Sequence, residues 1–114
     1  MSCRAALATL DLVERQYMAN ARQRGEQLRA GLARLAEENT CLANVRGLGL
    51  MMAVDVVGAA GPDPARRHQL IQAAFHQGLL LLGCGQAGIR FSPALCITSG
   101  EVDTALDILG RIVD

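Results

Sequence analysis

Apolar and polar positions along this chain follow two different periods, and the switches between them mark its organisation. From Arg4 to Met18 the apolar residues Ala6, Leu10, Val13 and Tyr17 recur three and four apart, with Arg4, Asp11, Glu14 and Arg15 between them. That spacing predicts an amphipathic helix, rich in alanine and suited to close packing against a partner. Asn20 is expected to interrupt it. A second helix is predicted through about residue 37, with Leu28, Leu32 and Leu35 on one side and Arg22, Arg24, Glu26, Arg29, Arg34 and Glu37 mostly elsewhere. Gly25 and Gly31 each cost such a helix about 1 kcal/mol relative to alanine, so tertiary packing has to compensate for them.

The period then shortens. Cys41 to Arg46 reads as a short strand, Gly47-Leu48-Gly49 as a bend or bulge, and Leu50 to Val57 as a longer strand interrupted only by Asp55. A run so rich in valine and methionine suits a central strand buried on both faces. Gly58 to Pro62 is a loop. Asp63 followed by Pro64 is an N-cap and a first helical residue, and the helix they open is expected to bury Leu70, Ile71, Ala74 and Phe75 before Gly78 ends it. Leu79 to Leu82 and Ile89 to Pro93, joined through Gly83-Cys84-Gly85, predict two strands with a tight connection. Thr98 with Glu101 is a capping box for a last helix, along which Val102, Ala105, Leu106, Leu109, Ile112 and Val113 recur at helical spacing. Short links favour antiparallel pairing. The predicted fold class is α+β, one domain over residues 1–114, a small and mostly antiparallel sheet covered by helices.

Composition narrows the function. The chain has 114 residues, is 51% hydrophobic and 19% charged, and carries zero formal net charge, so it has the profile of a folded soluble domain without an electrostatic footprint for nucleic acid. Two Phe and one Tyr are too few for base-stacking platforms. No apolar run approaches the ~20 residues of a membrane-spanning helix, and Met1-Ser2-Cys3-Arg4 does not open a secretory signal, so no membrane partner and a cytoplasmic location are expected. The four cysteines, at 3, 41, 84 and 96, are expected to be reduced, small core residues. His68 and His76, eight apart, are too distant along one helix to grip one ion, so no metal site is predicted. All eleven basic residues are arginine. Any mechanism built on a lysine amine, a Schiff base included, is therefore impossible within this chain.

The glycine turns are poor phosphate cradles, because they border strands rather than open onto helices. The carboxylates at 55, 63, 101 and 103 are accounted for by a strand edge, capping and helix surface, and no catalytic residue is assigned. Arg90 and Arg46 remain. Arg90 lies between Ile89 and Phe91, so strand alternation points it away from both, toward water or toward a partner. A guanidinium on a rigid strand suits a carboxylate held by two parallel hydrogen bonds.

The segment Gly78 to Gly85, followed by Ile89-Arg90-Phe91-Ser92-Pro93-Ala94-Leu95, resembles the C-terminal region of class III pyridoxal-phosphate aminotransferases, in particular the 4-aminobutyrate and acetylornithine group. Ala5 to Leu10, Val45-Arg46-Gly47-Leu48-Gly49-Leu50-Met51, and Thr98 to Leu109 agree with it in order and spacing. Ala94, in place of a second proline, and Gln86-Ala87-Gly88 depart from the family's usual pattern. The resemblance implies the small C-terminal domain of fold-type I enzymes, which closes over the substrate, with Arg90 as the substrate carboxylate-binding residue. It implies pyridoxal phosphate in the complete enzyme and none bound to this chain alone, since the cofactor's lysine and phosphate loop belong to a large domain absent from these residues. It also implies an amino acid and a 2-oxo acid as substrates, and leaves room for a homo-oligomer. The expected function is therefore that of a domain or fragment of a transaminase, not catalytic alone. The alternative is a stand-alone, non-catalytic binding module of the same fold, which would be monomeric where an orphaned packing surface would self-associate.

Overall fold

Leu28, Leu32 and Leu35 repeat at helical spacing and all three are buried, which seats their helix on the sheet. The computed structural model describes all 114 residues. Its elements are α1 (Ser2–Leu12), a π-helical turn (Val13–Tyr17), α2 (Met18–Glu38), β1 (Leu42–Leu48), β2 (Met51–Gly58), β3 (Gly61–Pro62), α3 (Pro64–His76), β4 (Leu82–Cys84), β5 (Gly88–Phe91) and α4 (Ser99–Val113). The antiparallel sheet runs β1-β2-β5-β4, with β3 paired to the end of β2. The α+β class with a small antiparallel sheet is what the periodicity predicts.

The predicted break at Asn20 is absent. The backbone stays right-handed helical across the junctions on either side of the π turn, so Ser2 to Glu38 form one continuous rod. Asparagine disfavours helices because its side chain competes for backbone groups nearby. Here the Asn20 amide has acceptors elsewhere: Nδ2 donates to the carbonyls of Leu95 (2.8 Å) and Ile97 (3.0 Å), tying the rod to the segment before α4. No residue of α1 is buried, and its Leu7, Leu10 and Leu12 are exposed. The molecule is accordingly elongated, 51 × 25 × 24 Å.

β2 is interior, as expected, but it is not buried on both faces. Met52, Val54 and Val56 enter the core while Met51 is 68% exposed and Ala53, Asp55 and Val57 are half-buried. The packed helices and the core occupy one side of the sheet, and an antiparallel sheet tolerates a wet second face. Leu79 to Leu81 lie outside any strand, so β4 is shorter than its apolar run suggested. In α3, Leu70 and Ala74 are buried and Ile71 half-buried, whereas Phe75 is exposed, its ring edge-on to His76. One helical step past Ala74 carries Phe75 off the buried stripe. The Asp63 cap, with the Arg66 amide donating to its carboxylate at 2.8 Å, and the Thr98–Glu101 box are formed as predicted. Ile108 joins the core of α4 unpredicted. All four cysteines are free, but none is buried: Cys3 and Cys96 are exposed and Cys41 and Cys84 half-exposed. Cys41 packs against the core from its margin, and the other three are not core residues.

The helical glycines have the packing they require. A methyl group at Gly25 would overlap the carbonyl of Gly49 in the turn between β1 and β2, and one at Gly31 would overlap the Leu106 side chain. Gly49 has φ +55°, which a tight turn needs and most side chains resist. Arg29 Nη2 donates to the Gly47 carbonyl, fastening the same turn to α2. Gly25→Ala is therefore expected to destabilise the chain by about 2 kcal/mol, because backbone cannot give way as a side chain can. Gly31→Ala is expected to cost less, since Leu106 can change rotamer. Urea denaturation of the two variants checks this, and a stabilised Gly25→Ala, following helix propensity alone, is the contrary result.

Candidate functional site

β5 is anchored by Ile89 and Phe91, both buried. Alternation puts Arg90 on the opposite, open face, where it is exposed and enters no ion pair or side-chain hydrogen bond. Register aligns Arg46 (β1), Ala53 (β2), Arg90 (β5) and Leu82 (β4) in one row across the sheet. The short side chain of Ala53 leaves a trough between the two arginines, about 550 Å³, walled by Leu48, Met51 and Cys84. On its other side Arg90 borders a second hollow of about 410 Å³, formed with Leu79 to Leu82, the Phe91–Ile97 segment and α4. Arg90 thus lines two concavities.

Arg46, whose role the sequence left open, is paired. Its Nη2 lies 2.8 Å from Asp55 Oδ1, and its Nη1 donates to the Asn44 carbonyl at 3.0 Å. Asn44 Nδ2 donates to Asp55 Oδ2 at 2.8 Å, so both carboxylate oxygens are engaged. Asn44 reaches this position with φ +53° where the β1–β2 register shifts between Ala43 and Arg46. The Arg46 hydrogen bond holds the Asp55 carboxyl below its usual range, against a partly offsetting desolvation and with help from Asn44. Asp55 is therefore a bonded residue of an interior strand, not a strand-edge carboxylate. Sequence reasoning missed this network, although a hairpin closed at Gly49-Leu50 already sets Arg46 and Asp55 on one face.

The acids at 63, 101 and 103 are also engaged. Asp63 caps α3. Glu101 Oε2 accepts from the Thr98 backbone N–H at 2.8 Å, which lowers its carboxyl pKa, and Asp103 accepts from Gln27 at 2.7 Å. His68 and His76 are both exposed, and no group of three or more His, Cys, Asp or Glu side chains is placed to hold a metal ion.

The residues present do not fit pyridoxal phosphate. The chain has no lysine, and the N-termini of α3 and α4, where a phosphate could be received, already carry the carboxylates of Asp63 and Glu101. The Gly47–Gly49 turn runs into a strand. What the arrangement can do is present a single unpaired guanidinium to an anion.

Because the folded-state pKa of Asp55 lies below its unfolded value, the pair stabilises the fold above the unfolded pKa and loses that effect as pH falls through the folded one. Asp55→Asn should thus cost up to about 1 kcal/mol at neutral pH, a magnitude limited by solvent screening, with the gap closing on acidification. Urea midpoints of both proteins near pH ~7 and pH ~3 check the sign; a gap that persists in acid would assign the effect to packing.

Residues 1–113 match the family model for class-III aminotransferases. Among curated proteins the chain is 42% identical over 111 residues to an acetylornithine aminotransferase of Gloeobacter violaceus, covering 96% of this chain and 26% of that protein. It is 37% identical over 118 residues to a 4-aminobutyrate aminotransferase of Mycobacterium leprae, covering 99% and 26%. Its fold superposes with TM-score 0.90 and 28% identity on a phospholyase from Arthrobacter solved with phosphoethanolamine, covering 96% of this chain and 27% of that one. The chain spans about a quarter of the length of the curated relatives it matches. On a match that runs almost end to end, the chain belongs to the class-III aminotransferase family.

Proposed function

We propose that this chain is the small, C-terminal substrate-binding domain of a pyridoxal-phosphate-dependent aminotransferase, and that Arg90 holds the substrate carboxylate. In the complete enzyme an amino group passes from an amino acid or ω-amino acid to a 2-oxo acid. The observation that carries the reading is the state of Arg90. It is an exposed, unpaired guanidinium on a strand pinned from behind by two buried side chains. Such a group can bind a carboxylate by two parallel hydrogen bonds, and the strand beneath it needs no ordering to do so. The relatives named for acetylornithine and for 4-aminobutyrate both act on compounds that carry a carboxylate.

The amine that binds the cofactor, and the groups that cradle its phosphate, come from outside these 114 residues. The exposed apolar stripe of α1 is the surface for that remainder, or for a second subunit. Four free thiols suit a reducing, cytoplasmic setting, and no helix is long and apolar enough to cross a membrane. Zero net charge gives nucleic acid no foothold.

Titration of the chain with 2-oxoglutarate or 4-aminobutyrate should shift the Arg90 Nε–Hε resonance selectively among the arginines, and Arg90→Gln should abolish the response. Equal shifts at several arginines would sink the assignment. Incubation with pyridoxal phosphate and borohydride should leave no pyridoxyl adduct on any side chain, as read by peptide-level mass spectrometry that separates the Met1 α-amine; a stoichiometric side-chain adduct would contradict the division of labour.

A further inference from the structure

On the open face of the sheet, Arg90 has an acid of its own close at hand. Asp55 pairs in register with Gly88 on β5, and Ala53 pairs with Arg90, so Asp55 is the diagonal neighbour of Arg90 on the same face. Diagonal neighbours stand about 7–8 Å apart, within reach of a long side chain. Gly88 has no side chain to interpose; a methyl group there would meet Cys84 Sγ at 2.8 Å and Asp55 Oδ1 at 3.1 Å, so the Cys84 thiol lies beside that diagonal. An unengaged Asp55 would therefore offer Arg90 the same two-oxygen fork that a substrate offers.

It is not unengaged. Arg46 occupies the register position opposite Ala53 on the other side of β2 and takes Asp55 Oδ1, while Asn44 takes Oδ2. Both ligands come from the β1 bulge, which turns Asn44 into the left-handed region to bring its amide to the carboxylate. The other charged or titratable groups near Arg90 and Asp55 do not compete. Cys84 is a thiol paired in register with Gly88, and Glu101, across the apolar hollow, is held by Thr98.

We propose that Arg46 and Asn44 are positioning residues that sequester Asp55 and so keep Arg90 free for the substrate carboxylate. This deepens the reading of Arg90 given above and rests on it. Arg46 touches no substrate in this account; it removes an internal competitor. The ion pair on β1 and β2 thereby becomes a determinant of carboxylate affinity on β5.

The test follows Asp55 by its carboxyl ¹³C resonance in the full chain as pH is varied. In Arg46→Met the Asp55 carboxyl should titrate lower than in Arg46→Met/Arg90→Met, because Arg90 takes the oxygen that Arg46 released while Asn44 keeps the other in both variants. Glutarate binding, read at Arg90 Nε–Hε, should weaken roughly two- to fivefold in Arg46→Met, the span of an exposed ion pair's coupling, and recover in Arg46→Met/Asp55→Asn. Asn44→Gly, which suits the left-handed backbone and releases one oxygen only, should act in the same direction more weakly, so the test survives if Arg46→Met does not fold. An Asp55 titration in Arg46→Met that the added Arg90→Met does not raise, or glutarate binding that fails to recover in Arg46→Met/Asp55→Asn, overturns the proposal. If the unaltered chain binds no glutarate at Arg90, the carboxylate reading fails by itself, and the Asp55 titrations still decide whether Arg46 shields it.

Discussion

Ile89 and Phe91 lie under the sheet, and a strand can bury two alternate residues only by presenting the one between them to the other side. The outward aim of Arg90 depends on that pairing of buried neighbours. A slip of one residue in the β2–β5 register would drive a guanidinium into an apolar core and expose two large hydrophobic side chains. Burial of the flanking residues is thus what makes the position of the charge non-negotiable. The same rule operates one strand away, where Met52, Val54 and Val56 face the core and Ala53 and Asp55 face out.

The open face is shaped by what is missing from it as much as by what it carries. Ala53 between the arginines holds back bulk, and the trough exists because that position is small. Around it lie exposed Leu48, Met51 and Leu82, an apolar surround in which a charged hydrogen bond is stronger than in open water. Two arginines at one register therefore differ in state although they are alike in chemistry. One is spent on a neighbouring acid, and the other is not.

Much of this was readable in residue order, for reasons that are local. The α3 and α4 starts follow from Asp63-Pro64 and from Thr98 with Glu101, whose capping geometry needs no tertiary partner. Arg90 stood out by alternation alone. What escaped was whatever a distant segment decides. Asn20 stays helical because the carbonyls of Leu95 and Ile97 await its amide, and β2 is one-sided because the helices stack on a single face. Phe75 fits an apolar stripe by type but misses it by angle. The Arg46–Asn44–Asp55 network needed a bulge, and a bulge is a property of two strands together.

The long first helix has a mechanical meaning. Ser2 to Glu38 are continuous, the first part projects beyond the body, and the backbone of α2 rests directly on the β1–β2 turn where Gly25 meets Gly49. A rod seated on a turn shares that turn's backbone with whatever else the turn carries, and Leu48, next to Gly49, is a wall of the arginine trough. The seat of the rod and one wall of the trough are, by this construction, a single piece of chain.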